Sequence, residues 1–251
     1  MKERKRRGHS RYYLFFFLVL IAIGALGTGV YYLLRNLTVL ELQKIEISGN
    51  KSVPDSLLNK VLKPYLGQNL LAVETKQVRK SLMAFSRIDE IKIRKSLLHT
   101  LKIEIKERSG VLYLKTVEGD LFPIDSEARV LTRYTNVLGE DLPVISSFFH
   151  SSQIKNGLKL NSPELKRVLA LNARIMRDYP EFMPRISEYY TIDNTIYIVD
   201  METGTRLIPP DEGLADQLRR YLFVQENGNI GNHKLVDLRY LNQVVVKADT
   251  K

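Results

Sequence analysis

The feature that most constrains this chain is an uncharged run of 23 residues, from Tyr12 to Leu34, between Arg11 and Arg35. As a helix with a rise of 1.5 Å per residue, the run would be about 34 Å long, enough for the roughly 30 Å hydrocarbon core of a bilayer. Tyrosine pairs lie at both ends, where amphipathic rings favour the membrane–water interface. The run therefore predicts one transmembrane helix over residues 12–34.

The eleven residues before this helix predict its orientation. They contain six Lys or Arg and one Glu, which is half of the net charge of +10. Positive charges beside a first transmembrane helix stay in the cytoplasm, so the body of the chain is predicted on the other side. The same charges could touch DNA, but no aromatic residues are interleaved with them for base stacking. Topology and contact with anionic lipids account for them, and no nucleic-acid partner is predicted.

A cleaved signal peptide is the alternative to an anchor. Gly27-Thr28-Gly29 is small enough for a cleavage site, but the apolar run continues from Val30 to Leu34. A cleavage site is followed by polar mature sequence. The continuation therefore favours a helix that is retained.

The residues after the anchor predict an α+β fold in two domains. The first shows the order strand, helix, helix, strand, strand, which a three-stranded sheet with two helices on one face would bury. The second shows many short strands with polar turns, which predict a mainly antiparallel β domain with a few helices, the best of them over Pro163–Tyr179 with Ser162 as its cap. The predicted divisions are a basic tail (1–11), the helix (12–34), a linker (35–43), the first domain (44–108), the β domain (109–247) and a disordered end (248–251).

Near its end the chain alternates apolar and polar residues from Leu235 to Lys247, which predicts one long strand. A strand that nothing covers invites pairing with another chain. One predicted face carries Val236, Leu238, Tyr240, Val244 and Val246, and the opposite face carries Asp237, Arg239, Gln243 and Lys247.

The sequence shows no catalytic or metal-binding pattern. It has no cysteine, so disulfides, thiolate catalysis and Cys-based zinc sites are excluded. No nucleophile elbow or phosphate-binding loop occurs outside the apolar run. We therefore predict no enzyme activity, no cofactor, no metal site and no small-molecule substrate. The four histidines fall in separate regions, at His9, His99, His150 and His233.

The segments of this chain resemble, in order, those of the FtsQ/DivIB family of bacterial division proteins. VLELQKIEISGNKSVPDSLLNKVL, LGQNLL and LKIEIKER resemble the family's POTRA domain, and the later strands, helices and closing V-D-L-R-Y resemble its β domain. The chain departs from the family at Ile208-Pro209-Pro210, where a Leu-Gly-like turn is usual, and at Leu241, where proline is common. A POTRA domain alone also occurs in polypeptide transport and outer-membrane protein assembly, so a chaperone-like docking component is the alternative.

The resemblance implies a membrane-anchored scaffold of the divisome. It would be a single-pass, type II inner-membrane protein, with its bulk in the periplasm at the division septum. It would link early division proteins to septal peptidoglycan synthesis by binding FtsB- and FtsL-like partners, with FtsK-, FtsW- and FtsI-like proteins as further candidates.

Partner binding is expected by β-strand addition, in which main-chain hydrogen bonds provide affinity and side-chain contacts provide specificity. For Val236 and Leu238 the pattern favours core residues over edge residues, whereas for Arg239 and Tyr240 it does not. The V-D-L-R-Y match assigns the partner edge to Asp237, Leu238, Arg239 and Tyr240, while Leu241, Gln243 and Val245 are included because they continue the predicted strand.

Overall fold

The computed structural model describes residues 9–35, 40–96, 99–134, 140–228, 230–232 and 234–247. The predicted disordered end at 248–251 and most of the basic tail lie outside these residues. The rest of the chain divides into two compact units. One runs to Ala84 and includes Glu90–Lys106; the other comprises Phe85–Asp89 and the chain from Glu107 onward.

The predicted apolar helix is present as α1, His9–Arg35. Its segment Tyr12–Tyr31 has a mean hydropathy of 2.3, and none of that segment is buried inside the protein. A helix that is apolar on all sides needs an apolar environment around it. Its length and composition suit the crossing of a membrane.

The first unit has the predicted order of strand, helix, helix, strand, strand. Its sheet has the order β1-β3-β2, with β1 parallel to β3 from Lys44↔Thr100 to Ser48↔Glu104. Gly49 ends β1 with φ +86°, and a Cβ there would lie 2.1 Å from the carbonyl oxygen of Ile105, so only glycine fits. The elements are β1 (Lys44–Ser48), α2 (Asp55–Leu62), α3 (Thr75–Leu82), β2 (Ile88–Ser96) and β3 (Thr100–Glu107).

The second unit is built on an eight-stranded sheet, and the predicted α+β class is confirmed. The strand order is β11-β10-β9-β8-β7-β6-β4-β5; among the described residues four neighbouring pairs are antiparallel and three are parallel. The elements are β4 (Leu112–Lys115), β5 (Leu121–Ile124), β6 (Val144–Ser146), α4 (Pro163–Asp178), β7 (Ile186–Ile192), β8 (Thr195–Asp200), β9 (Arg206–Ile208), α5 (Leu214–Asn227), β10 (Leu235–Asp237) and β11 (Val245–Lys247).

Helix α4 packs its apolar stripe on this sheet. Ser162 caps it as predicted, accepting a hydrogen bond from the N–H of Leu165. Val168 and Ile175 are fully buried in the core. The hydroxyl of Tyr189 on β7 donates to Asn172 on α4 at 3.0 Å, so the one buried amide of the stripe is satisfied.

The prediction of one long strand from Leu235 to Lys247 is wrong, because the chain turns back on itself. Residues 235–237 form β10 and residues 245–247 form β11, paired antiparallel with Val236 opposite Val246. Asn242 has φ +62°, a left-handed conformation that interrupts a strand and that asparagine tolerates. The apolar alternation therefore continues through a hairpin that it cannot distinguish from a single strand.

Candidate partner-binding edge

The open edge of the eight-stranded sheet is the outer side of β11. Strand β10 pairs with β9 on one side and with β11 on the other, and no described strand lies beyond β11. The seven predicted partner residues are divided by the hairpin. Asp237 lies in β10 and Val245 in β11, while the connecting loop holds Leu238, Arg239, Tyr240, Leu241 and Gln243.

Asp237 fixes the hairpin from inside. It was predicted to point outward, but it is fully buried. Arg239 donates to its two carboxylate oxygens from Nε at 2.9 Å and from Nη2 at 2.7 Å, and Lys247 Nζ lies 3.0 Å from Oδ2. The Arg239 guanidinium, more than the Lys247 ammonium, lowers the pKa of Asp237 to about 2, although burial alone would raise it. One carboxylate thus ties both the loop and β11 to β10.

Helix α5 holds the other side of the loop. Gln217 is buried, and its Nε2 donates to the carbonyl oxygens of Leu238 and Tyr240. The N–H of Leu238 donates to the carbonyl oxygen of Ile208 at 3.0 Å, which extends the pairing with β9 beyond β10. Leu238 is completely buried, so the alternative reading of this residue as core is correct.

Two of the remaining loop side chains form an exposed apolar tip. Tyr240 is 52% exposed and Leu241 77% exposed, and Arg239 beside them is half-exposed. Val246 on β11 is also exposed, although the predicted alternation placed it in the core. In β-strand addition, main-chain bonds at an open edge are combined with side-chain contacts, and exposed apolar side chains beside the edge supply a surface for such contacts.

An arginine-rich groove of about 480 Å³ lies beside this tip. Arg239 lines it from the loop, and Arg167 and Arg174 line it from α4. Arg174 donates to the carbonyl oxygen of Asp211 at 2.7 Å, and Arg167 donates to Asn194. Asp211 also lines the groove, so one lining carboxylate faces three guanidiniums, two of which bond only neutral oxygens, and the lining keeps a net positive charge. Its apolar part is formed by Leu171, Ile196, Ile208, Pro209 and Pro210.

Sequence reasoning did not find four residues of this neighbourhood. Arg167 and Arg174 are seven positions apart on α4, a spacing that places them on one face, and this could have shown them as a pair. Gln217 and Lys247 carry no such signal, because their contacts depend on how the hairpin folds back.

Outside this edge, Glu118, His150 and Ser151 form a compact cluster of polar side chains. His150 Nδ1 lies 2.7 Å from Glu118, and this contact is the main reason that the pKa of Glu118 is lowered to about 2. Ser151 Oγ bonds Glu118, Asp120 and Thr116, and no described contact joins it to an imidazole. A serine activated as a nucleophile needs a base at its hydroxyl, and these carboxylates are already engaged. No group of three metal-ligating side chains occurs among the described residues.

The βααββ order of the first unit, which follows an apolar N-terminal helix, indicates a POTRA domain. Residues 40–108 match the family described as "POTRA domain, FtsQ-type". The chain is 22% identical over 231 residues to the cell division protein FtsQ of Geotalea daltonii, covering 90% of this chain and 82% of that one. It is 26% identical over 170 residues to the cell division protein DivIB of Clostridium botulinum, strain Hall, covering 67% of this chain. Residues 40–108 therefore form an FtsQ-type POTRA domain, and most of the chain is similar to the cell division proteins FtsQ and DivIB. The match spans 63% of the length of the Clostridium botulinum DivIB relative.

Proposed function

We propose that this chain is a non-enzymatic, membrane-anchored scaffold of the bacterial divisome that captures its partner on the open edge of β11. The observation that supports this most is a strand edge with which no described segment pairs, next to an exposed apolar tip at Tyr240 and Leu241. Main-chain bonds to β11 would supply affinity, and the loop side chains would select the partner.

The partner is an FtsB-like membrane protein, with an FtsL-like protein bound alongside it. The names of the relatives and the FtsQ-type POTRA domain support a role in division. The three arginines of the groove favour a segment that carries acidic side chains next to its added strand, because opposite charges speed encounter and fix register. Through this capture the scaffold links early division proteins to septal peptidoglycan synthesis.

The chain crosses the inner membrane once, through α1, with its N-terminus in the cytoplasm. The six basic residues among the first eleven support this orientation. Both folded units then lie in the periplasm, and the protein gathers at the septum.

The substitution Tyr240→Glu tests the proposed edge. Tyr240 is exposed, so the fold is retained, and a charge placed against an apolar partner strand abolishes its co-purification. The matched control is Phe223→Glu on α5 of the same domain, which changes an aromatic residue that is 65% exposed, against 52% for Tyr240. If the Tyr240→Glu variant still co-purified the partner as the parent does, the assignment of this edge as the binding site would be wrong.

The alternative function, a chaperone-like component of polypeptide transport, is distinguished from a division scaffold by the localisation of the protein in the cell. A division scaffold fused to a fluorescent protein concentrates at midcell before constriction. An even signal around the envelope would favour the transport role.

A further inference from the structure

A groove of about 580 Å³ lies between β1 and α2 of the POTRA unit, separate from the arginine-rich groove of the β domain. Its apolar part is formed by Ile45, Leu62 and Leu66, and Leu66 is 44% exposed at the rim. Across the described chain, no acidic side chain contributes to its lining. The remaining lining residues are Gln43, Lys44, Asn59, Lys60 and Lys63.

The three lysines give this groove its charge. Lys60 and Lys63 are exposed, lie on neighbouring turns, and form no ion pair with any residue the structure describes. Lys44 pairs with Glu46 at 2.9 Å, and Glu46 also lies 3.4 Å from Lys102. Even so, Lys60 and Lys63 leave two uncompensated positive charges beside exposed apolar surface. Such a surface matches an anionic ligand that also has an apolar portion.

The chain itself brings the groove close to the bilayer. The N–H of Gly67, next to Leu66, donates to the carbonyl oxygen of Leu42 at 2.9 Å. Leu42 follows Arg35, the end of α1, by only seven residues. A fully extended chain of that length spans at most about 25 Å. The groove therefore stays within reach of the headgroups of whatever membrane α1 crosses.

We propose that this groove binds anionic phospholipid headgroups of the membrane that α1 spans. Lys60 and Lys63 contact the headgroup phosphates, and Leu66 enters the interface beside them. The proposal rests on the membrane anchoring in the proposed function. Tethering raises the effective concentration of lipid at the groove far above that of any free ligand. An added partner strand on β1 is the competing occupant, and it has no such tether in its favour.

Depth-dependent quenching in nanodiscs tests the proposal on the whole chain. Because the sequence has no cysteine, Gln68→Cys provides a unique site for a fluorophore next to Leu66. The labelled protein is inserted into discs of phosphatidylcholine alone, or with 30% phosphatidylglycerol, and each set carries a headgroup nitroxide quencher. We expect strong quenching in the anionic discs and weak quenching in the neutral discs. As a control, a fluorophore at Met83→Cys, which follows the C-terminal end of α3, should stay unquenched in both kinds of disc.

Charge substitutions identify the residues responsible. Each lysine near a charged membrane surface is worth about fivefold in the docked population, so Lys60→Gln/Lys63→Gln should reduce the ratio of docked to undocked protein by at least tenfold. Lys76→Gln/Lys80→Gln removes the same charge from exposed positions on α3 and should leave the ratio unchanged.

Three results would overturn the lipid assignment. One is equal quenching in neutral and anionic discs, another is equal effects of the two lysine pairs, and the third is protection of the Gln68 label only when an FtsB-like partner is added. Partner capture on β11 is measured in the same discs. Loss of capture with docking intact contradicts the proposed partner edge alone, whereas failure of the protein to co-elute with discs contradicts the anchoring on which both depend.

Discussion

The two edge strands of the eight-stranded sheet, β5 and β11, differ in whether another described segment of the chain covers them. At one edge, Pro123 in β5 has no N–H to offer a neighbouring strand. The chain also returns to cover that edge: the N–H of Leu131 donates to the carbonyl oxygen of Pro123 at 2.8 Å, and Val130 pairs with Ile124. At the other edge, β11 contains no proline, and no described segment covers it. A fold that protects one edge by two devices and leaves the other bare suits a sheet that receives its partner on one side only.

Each edge also depends on one buried aspartate, with opposite consequences. Asp125 follows β5 and accepts the N–H groups of Glu127 and Arg129, which closes a turn and directs the chain back over the edge. Asp237 ends β10 and holds Arg239 and Lys247, which secures β11 while leaving its outer side open. One buried aspartate, Asp125, therefore directs the chain over the β5 edge, whereas the other, Asp237, holds β11 in place with its outer side uncovered by any described segment.

Proline in β11 should make the open edge resemble the closed one and should have the largest effect. Successive N–H groups of a strand point to opposite neighbours, so Val245→Pro and Val246→Pro remove one inward and one outward donor. We expect the variant that loses the outward donor to lower partner affinity at least 100-fold, measured by titration with an FtsB-like partner. Its melting temperature should stay within a few degrees of the parent.

The other proline variant is the matched control for this experiment. It breaks a bond between β11 and β10, and it should lower stability by about 1–3 kcal/mol because a buried partner loses its donor. Equal partner affinity in both variants and the parent would show that main-chain pairing at β11 carries no binding energy.

Asp125→Ala should open the closed edge. The change removes two accepted main-chain bonds and an ion pair with Arg108 at 3.2 Å, so we expect a loss of about 2–4 kcal/mol in urea unfolding in detergent. The uncovered edge should also make the protein self-associate with increasing concentration, as light scattering would detect. Asp141→Ala, at an exposed position, is the control and should change stability by less than about 0.5 kcal/mol.

Asp237→Asn should weaken the hold on the open edge and make its stability insensitive to acid. The folded pKa of Asp237 is about 2, below the unfolded value of about 3.9, so its charge stabilises the fold above about pH 4 and this contribution disappears as the pH falls to about 2. We expect the parent to exceed the variant by about 2 kcal/mol at pH 7, measured by urea unfolding, and the difference to shrink across that range. A constant difference from pH 7 to pH 2 would contradict the ion-pair origin.

The fold could be predicted because its signals are local. The apolar run, the i, i+4 spacing of Val78 and Leu82, and the cap at Ser162 depend on neighbours in sequence, and the structure confirms the elements that they indicate. Sheet order could not be predicted, because pairing partners such as β9 and β10 are set by packing across the whole domain. The boundary between residues 108 and 109 stays a prediction. Arg87, which the sequence assigns to the first domain, bonds the carbonyl oxygen of Thr132 at 2.9 Å and packs with the second unit.

The hairpin shows why the site was harder to predict than the fold. Alternation from Leu235 to Lys247 is compatible with one strand or with two antiparallel strands, because a short loop can preserve the period. The deciding features are the positive φ of Asn242 and the burial of Asp237 by Arg239 and Lys247. A buried carboxylate is costly without partners, so its position in an apolar run was itself a sign that cations come to it.

Arg174→Gln should have the smallest effect and tests whether side-chain charge adds to main-chain pairing at the open edge. Arg174 lines the groove next to the exposed tip, and its bond to the Asp211 carbonyl is one that glutamine can replace. We expect partner affinity to fall about threefold to tenfold at low salt and the difference to shrink in 0.5 M salt, because screening weakens exposed charge pairs. Arg94→Gln, an exposed arginine of β2 in the POTRA unit, should leave affinity unchanged. A loss that is independent of salt would assign Arg174 a packing role, and the open edge would then recognise its partner by main chain and shape alone.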